Sequence, residues 1–466
     1  MIFQSLGLHA LISSLAAAAA ITPRQDDSRT VTVNLAENRG PPPHHGAAFI
    51  LGIPDTPNQI PDHFYTDMGF NYARAGGSQL PEGGWIQGID AYRARLDSTQ
   101  SNYNTARKYG APFIILPHDI WGTDSSNSST HWPGDDGDWT DYDAFLERLC
   151  DDLVARDMLD GLVFDIWNEP DVDIFWKRDV QQWVDLYIRT HKYIRSRPEL
   201  GSIDISGPST TAPPAAGNEW WTAWLSAISE NQAVPDQYSY HLLYGDRNLV
   251  DLRSANPIFT QLRAQHGLPD RPVNVNEYAI PEEQVPSTSA WFLSRFDRYD
   301  TIGLRANWLS GCQLHDFMGN LVSKDGAPDA STCQGQGYFP NGEYQLYKYF
   351  NLNMTGYRAA TEGSGDGLAD AYTTIDTDTV RTMAGVRLAT GTWLLTIGNL
   401  SAVGLPSSGE LPVQTWAFTF DGLWGRVDGP QDRGVFAHGY EADSVTFEIR
   451  VPEEDEATAF AFEFAI

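Results

Sequence analysis

Between residues 46 and 350 the chain repeats one pattern eight times: a short apolar run followed by a longer, more polar stretch. The runs occupy residues 47–53, 71–75, 112–117, 161–167, 203–207, 237–242, 273–277 and 302–308. Clear helices lie between several of them. Residues 142–157 place Phe145, Leu146, Leu149, Leu153 and Val154 on one face. Residues 180–195 do the same with Trp183, Val184, Tyr187, His191 and Ile194. Both fit a period of about 3.6 residues, and residues 220–228 and 289–299 read as further helices. Eight strand–helix units over roughly 300 residues is the arithmetic of a (β/α)8 barrel. A doubly wound open sheet also alternates strands and helices, but no glycine-rich phosphate loop follows the first run.

The pattern changes on both sides of this block. After residue 356 the helical period disappears, and Ala371 to Ile375, Trp393 to Ile397, Trp416 to Phe420 and Val445 to Ile449 read as strands. The closing stretch Phe460 to Ile466 alternates with a period of two. These features give an antiparallel β-sandwich over 356–466. Thr30 to Leu35 alternates in the same way. The expected organisation is a leader at 1–20, a segment at 21–45 whose strand joins the sandwich, a barrel at 46–355, and the sandwich.

The first 21 residues hold no Lys, Arg, Asp or Glu, and an apolar run ends in five alanines. That fits a secretory signal peptide with small residues at its cleavage site, and its run falls short of the ~20 residues needed to span a bilayer. The expected location is therefore extracellular. The sequons at Asn127, Asn353 and Asn399 agree with secretion and mark candidate glycosylation sites. Cys312 and Cys333 flank a Gly- and Asp-containing loop that a disulfide between them would close, whereas Cys150 sits on the apolar face of a helix as a buried thiol. The formal charge of −30 argues against nucleic acid and anionic membranes as partners.

In a barrel the chemistry lies at the carboxyl ends of the strands. The second run ends at Arg74, the third at His118-Asp119 with Trp121 beyond, and the fourth at Trp167-Asn168-Glu169-Pro170-Asp171. The sixth ends at Tyr240-His241 with Tyr244 following, the seventh at Asn276-Glu277-Tyr278, and the eighth at Asn307-Trp308. Strands four and seven lie on different sides of the barrel axis, so Glu169 and Glu277 can face each other across a substrate. Two opposed carboxyl groups are what glycoside hydrolysis with retention requires: one attacks the anomeric carbon, the other protonates the leaving oxygen and then deprotonates water. No cofactor is needed.

Ile166-Trp167-Asn168-Glu169-Pro170-Asp171 followed by Val275-Asn276-Glu277-Tyr278 resembles clan A of the (β/α)8 glycoside hydrolases. The resemblance implies Glu169 as acid/base, Glu277 as nucleophile and Asn168 as a hydrogen-bond partner of the sugar 2-OH. Arg74 and Trp308 match clan positions, and His241 and Tyr244 fall where clan members place a group that steers the nucleophile. Within the clan the chain is most similar to family 39, on the Asn-Glu-Pro-Asp form, the N-terminal strand and the appended sandwich. The segment Gly342 to Phe350 resembles the last barrel helix. This implies β-xylosidase-like or related exo-acting activity on a carbohydrate. Tyr72-Ala73-Arg74-Ala75-Gly76-Gly77 departs from the Arg-x-His-Gly-like form of that family.

Each feature has a plainer reading. Asn-Glu-Pro alone is a turn, and it gains meaning only from the second strand-terminal glutamate. Arg74 can be a rim ion pair, and His241 or His118 a satisfied core histidine. Most tryptophans pack in cores, which is also the plainer reading for Trp121, Trp176 and Trp308. Glu282 and Glu283 follow Pro281 and read as solvated. Asp135-Asp136-Gly137-Asp138 reads as a solvated loop and His44-His45 as a loop pair, since neither has the spacing of a metal site. The long segments 122–138 and 312–340 favour a pocket and exo action. An endo-acting glycanase, or an inactive carbohydrate-binding protein on the same fold, are the alternatives.

Overall fold

The computed structural model describes residues 27–244, 250–326 and 333–466. The leader expected at 1–20 lies outside the described residues. Eight parallel strands close into a barrel: β2 (Ala48–Ile50), β3 (Ala73–Ala75), β4 (Phe113–Ile115), β5 (Leu162–Asp165), β6 (Asp204–Thr210), β7 (Gln237–Leu242), β8 (Val273–Tyr278) and β9 (Thr301–Arg305). Phe49 of β2 pairs with Ala73 of β3 and with Arg305 of β9, so the ladder is continuous round the ring. Each of the eight apolar runs supplies one strand, because a run flanked by helices on the outside and packed side chains on the inside must be apolar on both faces.

The helices are α1 (Asp62–Asp67), α2 (Ile89–Lys108), α3 (Pro117–Trp121), α4 (Thr140–Ala155), α5 (Val180–Ser196), α6 (Glu219–Glu230), α7 (Leu252–Gln265), α8 (Pro286–Arg298) and α9 (Gly342–Leu352). Side-chain caps fix several starts. Asp179 accepts from the Gln182 amide at α5, Asn218 from Trp221 at α6 and Asn341 from Tyr344 at α9, each satisfying a donor the helix itself cannot. At 20 residues α2 is the longest, and the sequence pattern hides it. Its buried face mixes Tyr92, Leu96 and Tyr103 with Arg95, Ser98, Thr99 and Asn102. Ser98 and Asn102 donate to Asp55, and Arg95 pairs with Asp124 at 2.8 Å, so the polar residues are buried with partners.

A second sheet of nine strands follows the order β17-β16-β19-β14-β13-β12-β1-β15-β18. Its members are β1 (Thr30–Asn38), β12 (Tyr357–Glu362), β13 (Ala369–Ile375), β14 (Thr379–Val386), β15 (Gly391–Gly398), β16 (Gly409–Phe418), β17 (Gln431–Tyr440), β18 (Ser444–Val451) and β19 (Ala459–Ala465). β1 runs antiparallel to β12 and parallel to β15. The sheet folds over itself as a sandwich: Phe447 of β18 stacks on Phe462 of β19 with ring centroids 5.1 Å apart. Val31, Val33, Leu395, Ile397 and Phe464 fill the same core.

α8 joins the two units. Ser287 donates to the Val386 carbonyl at 3.0 Å, and Arg387 pairs with Glu283 at 2.6 Å. This corrects the expectation that Glu283 is solvated: it is 2% exposed, because the sandwich brings an arginine to it, while Glu282 stays exposed. Asp135 also departs from a solvated loop, accepting two bonds from Arg178 at 2.5 Å. His44 packs edge-on to Phe350, and His45 pairs with Asp300. The insertion after β9 carries a hairpin, β10 (Val322–Asp325) with β11 (Gln336–Pro340), and Cys312 is bonded to Cys333 beside it. No helix among the described residues is long and apolar enough to cross a membrane.

Candidate active site

β5 and β8 are the fourth and seventh strands of the barrel. Beyond β5 the chain turns sharply, and Glu169 takes φ +42°, a left-handed conformation that costs a non-glycine residue about 1 kcal/mol or more. Its amide donates to the Ser209 carbonyl of β6 at 2.8 Å, which holds the turn. Glu277 lies within β8 opposite His241 of β7 in the strand register. One carboxylate oxygen of Glu169, one of Glu277 and one ring nitrogen of His241 all lie within 4.8 Å of one another. His241 Nδ1 is 2.8 Å from Glu169 Oε1, and its Nε2 is 3.8 Å from Glu277 Oε1.

The two carboxyl groups differ in what touches them. Arg74 donates to Glu277 at 2.6 Å and not to Glu169. Burial, reinforced by Asp171, pushes Glu169 up to about 7, against the pull of Arg74, His118 and the Thr211 hydroxyl. Burial also raises Glu277, with Glu169 adding to it, while His241 and Arg74 draw it back. The direct guanidinium contact favours the charged form of Glu277, whereas burial without such a contact favours the protonated form of Glu169. Burial depresses His241 to about 4, so its imidazole is neutral there.

Beneath the pair lies a layer of buried polar groups. Asp165, at the end of β5, accepts from Arg74 Nε at 3.2 Å and Nη2 at 2.8 Å, from Asn276 at 2.9 Å and from Ser209 at 2.7 Å. Asn168 accepts from Arg74 at 2.5 Å. The Ser209 hydroxyl also meets that of Ser239 at 2.7 Å, and neither these serines nor Asp165 belongs to the strand-end motifs of the sequence. A carboxylate interrupting Leu162-Val163-Phe164-Asp165-Ile166 was the available signal, since a charge inside an apolar strand must have a partner.

The remaining candidates separate into groups. Tyr244 and Trp308 are 53% and 38% exposed, and their rings meet edge to face at 5.8 Å. The Trp308 indole is fixed by a 2.9 Å bond to the Ala279 carbonyl. His118 is buried beside Asp119 at 3.1 Å, and its ring faces Phe175 and Trp167. Trp121 is a correction: it is 1% exposed and sealed between Trp132 and Trp167, so it cannot stack on a sugar. Arg74 is a second: its side chain is wholly buried and committed to Asp165, Asn168 and Glu277, which makes it a support of the site and not a sugar contact. Asp171 accepts from the Thr211 amide at 2.9 Å and ties two strand-end loops together. Trp176 is core. The Asn127, Asn353 and Asn399 positions are exposed, with the Asn399 amide donating to Asn34.

Glu169, His241 and Glu277 offer three ligand atoms to a cation. The Arg74 guanidinium at 2.6 Å already supplies the positive charge beside Glu277, and a metal ion would have to compete with it. The arrangement suits a pair of carboxyl groups, one in direct contact with a guanidinium and one without.

No family model matches the chain, and no curated protein matches it in sequence. Solved structures match its fold. N2152 from Neocallimastix frontalis is 18% identical with a TM-score of 0.70, covering 93% of this chain and 98% of that one. The GH39 enzyme from Xanthomonas axonopodis pv. citri is 14% identical with a TM-score of 0.57, covering 94% and 97%. A monomeric beta-xylosidase from Caulobacter crescentus CB15 is 16% identical with a TM-score of 0.56, covering 94% and 99%. The chain therefore has, over nearly its whole described length, the barrel-plus-sandwich fold found in these proteins.

Proposed function

We propose that the chain is a retaining glycoside hydrolase of the clan A type, similar to family 39, with Glu277 as nucleophile and Glu169 as acid/base. The observation that carries this is the pair itself: two carboxyl oxygens within 4.8 Å at the ends of barrel strands four and seven. Retaining enzymes hold their carboxyl groups about 5–5.5 Å apart, whereas inverting enzymes need about 6.5–9.5 Å to seat a water.

In the first step a Glu277 oxygen bonds to the anomeric carbon as the glycosidic C–O bond breaks, and Glu169 gives its proton to the leaving oxygen. A covalent glycosyl ester on Glu277 results. In the second step the Glu169 carboxylate takes a proton from water, whose oxygen bonds to the anomeric carbon and expels Glu277. Each group suits its part: Glu169 is raised to about 7 and protonated at the start, and Arg74 draws Glu277 toward its charged form. His241 Nδ1 lies 2.8 Å from Glu169 Oε1 and shares a proton position with it, which orients the acid/base carboxyl group. We assign Asn168, which accepts from Arg74, to the sugar 2-OH, and the exposed rings of Trp308 and Tyr244 to an apolar platform for the sugar.

The substrate reading is a neutral sugar at a non-reducing end; one of the structural neighbours is a beta-xylosidase. Arg74 is spent on protein carboxyl groups and cannot also pair with a uronate. Exo action is supported by the length of the segments 122–138 and 312–340, both long for barrel loops. The apolar leader and the sequons support secretion and glycosylation. The test is a panel of aryl glycosides with Glu277→Gln and Glu169→Ala. Glu277→Gln is expected to abolish turnover. Glu169→Ala is expected to fail on poor leaving groups and to recover with azide as a glycosyl azide. Unchanged hydrolysis by Glu277→Gln, or no azide rescue, refutes the corresponding role.

A further inference from the structure

Asp165 touches neither the cleft nor Glu277. It is 0% exposed, lies one layer below the pair, and belongs to none of the motifs that mark the site. Yet both carboxyl groups hang from it. Through Arg74 it reaches Glu277 and Asn168. Ser209 donates to both of its oxygens, at 2.7 and 2.9 Å, and the carbonyl of that same serine receives the Glu169 amide. Asn276, the neighbour of Glu277, donates to both Asp165 and Ser209 at 2.9 Å. One carboxylate thus fixes the backbone turn of the acid/base and the guanidinium of the nucleophile.

Its charge matters as much as its bonds. Arg74 is one cation shared between Asp165 and Glu277, with Glu169 within electrostatic reach. The other ionisable groups around this centre are His241 from β7, His118 and Asp119 from α3, Tyr187 from α5, and Asp171 beyond Glu169. None of them shares a hydrogen bond with Arg74, whereas Asp165 takes two of its N–H groups.

We infer that Asp165 is a positioning residue that sets the working pH range of the site, by holding back part of the Arg74 charge from Glu277 and Glu169. Without the Asp165 charge, Arg74 acts on the two glutamates undiluted, and both become stronger acids. The nucleophile then ionises at lower pH, and the acid/base also loses its proton at lower pH. Both limbs of the pH–activity profile move down together. The inference rests on the roles proposed above for Glu169 and Glu277.

Asp165→Asn is the sharpest probe. The amide oxygen can keep the bonds from Arg74 and Asn276, and the amide NH2 can donate to Ser209, so shape and most hydrogen bonds survive while the charge goes. Asp165→Ser is the second neutral variant, leaving room for water to accept from Arg74. Full kcat/KM profiles on an aryl glycoside are expected to show both limbs displaced downward by about one pH unit in each variant. The maximum is expected to fall about 100-fold in Asp165→Ser, where Arg74 is less well held. Limbs that stay at the wild-type pH in both variants, however slow the enzymes, overturn the inference, and so do limbs that move upward. If instead Glu277→Gln retains activity, it is the assignment of the pair that fails, whatever the Asp165 variants do.

Discussion

Replacing Glu169 by Gln should stabilise the protein in a pH-dependent way. The carboxyl group lies at about 7 in the fold against an ordinary value of 4.5. Since its folded value is raised, the folded state binds the proton more tightly than the unfolded chain. Stability therefore falls as pH rises from about 4.5 to 7, the window in which only the unfolded state has lost its proton. At 1.36 kcal/mol per pH unit the full interval corresponds to about 3 kcal/mol, developed above pH 7 and absent below pH 4.5. Glutamine keeps the side-chain volume but cannot ionise. Urea unfolding of wild type and Glu169→Gln at pH 4 and pH 8, followed by tryptophan fluorescence of the barrel, measures the double difference. The variant is expected to gain about 3 kcal/mol relative to wild type between the two pH values. A difference that does not change with pH refutes the reasoning, because it would mean that burial does not penalise the Glu169 anion.

Other consequences can be checked separately. The wild-type rate should fall above about pH 7 as Glu169 loses the proton that it must donate, and at low pH as Glu277 gains one; a profile flat to pH 9 contradicts the acid role. Trp308→Ala, which removes one of the two exposed rings of the aromatic platform, should raise KM about tenfold with kcat little changed, measured by steady-state kinetics. Glu343→Gln removes the countercharge of Arg305, both side chains being wholly buried, and should cost about 3 kcal/mol or more in urea unfolding. Opening the Cys312–Cys333 bond in a double alanine variant should lower stability by about 3 kcal/mol, read as a drop in Tm.

The sequence made the strands of the barrel legible because strands buried on both faces have little freedom in composition. Most of these strands fall within short apolar runs bounded by polar stretches, whereas β6, β7 and β8 interleave apolar residues with Ser, Asn and Gln. α2 was not legible, because Arg95, Ser98, Thr99 and Asn102 occupy its buried face and break the apolar period. Those residues are buried only because Asp55, Glu82 and Asp124 arrive from loops distant in sequence. The site shows the same division. Glu169 and Glu277 could be named from their strand ends, but not what holds them. Arg74 pointed to a sugar contact until the fold placed Asp165 beneath it, and Trp121 to a platform until Trp132 and Trp167 closed over it. Partners that come together only through closure of the barrel leave no local trace in the chain.

The account turns on Glu277 attacking the anomeric carbon, and the anomer first released reports this directly. Proton NMR of an aryl glycoside being cleaved, recorded before mutarotation, is expected to show product with the configuration of the substrate. Product of the opposite configuration would mean that water, not Glu277, attacks in a single displacement, and the central claim would fall.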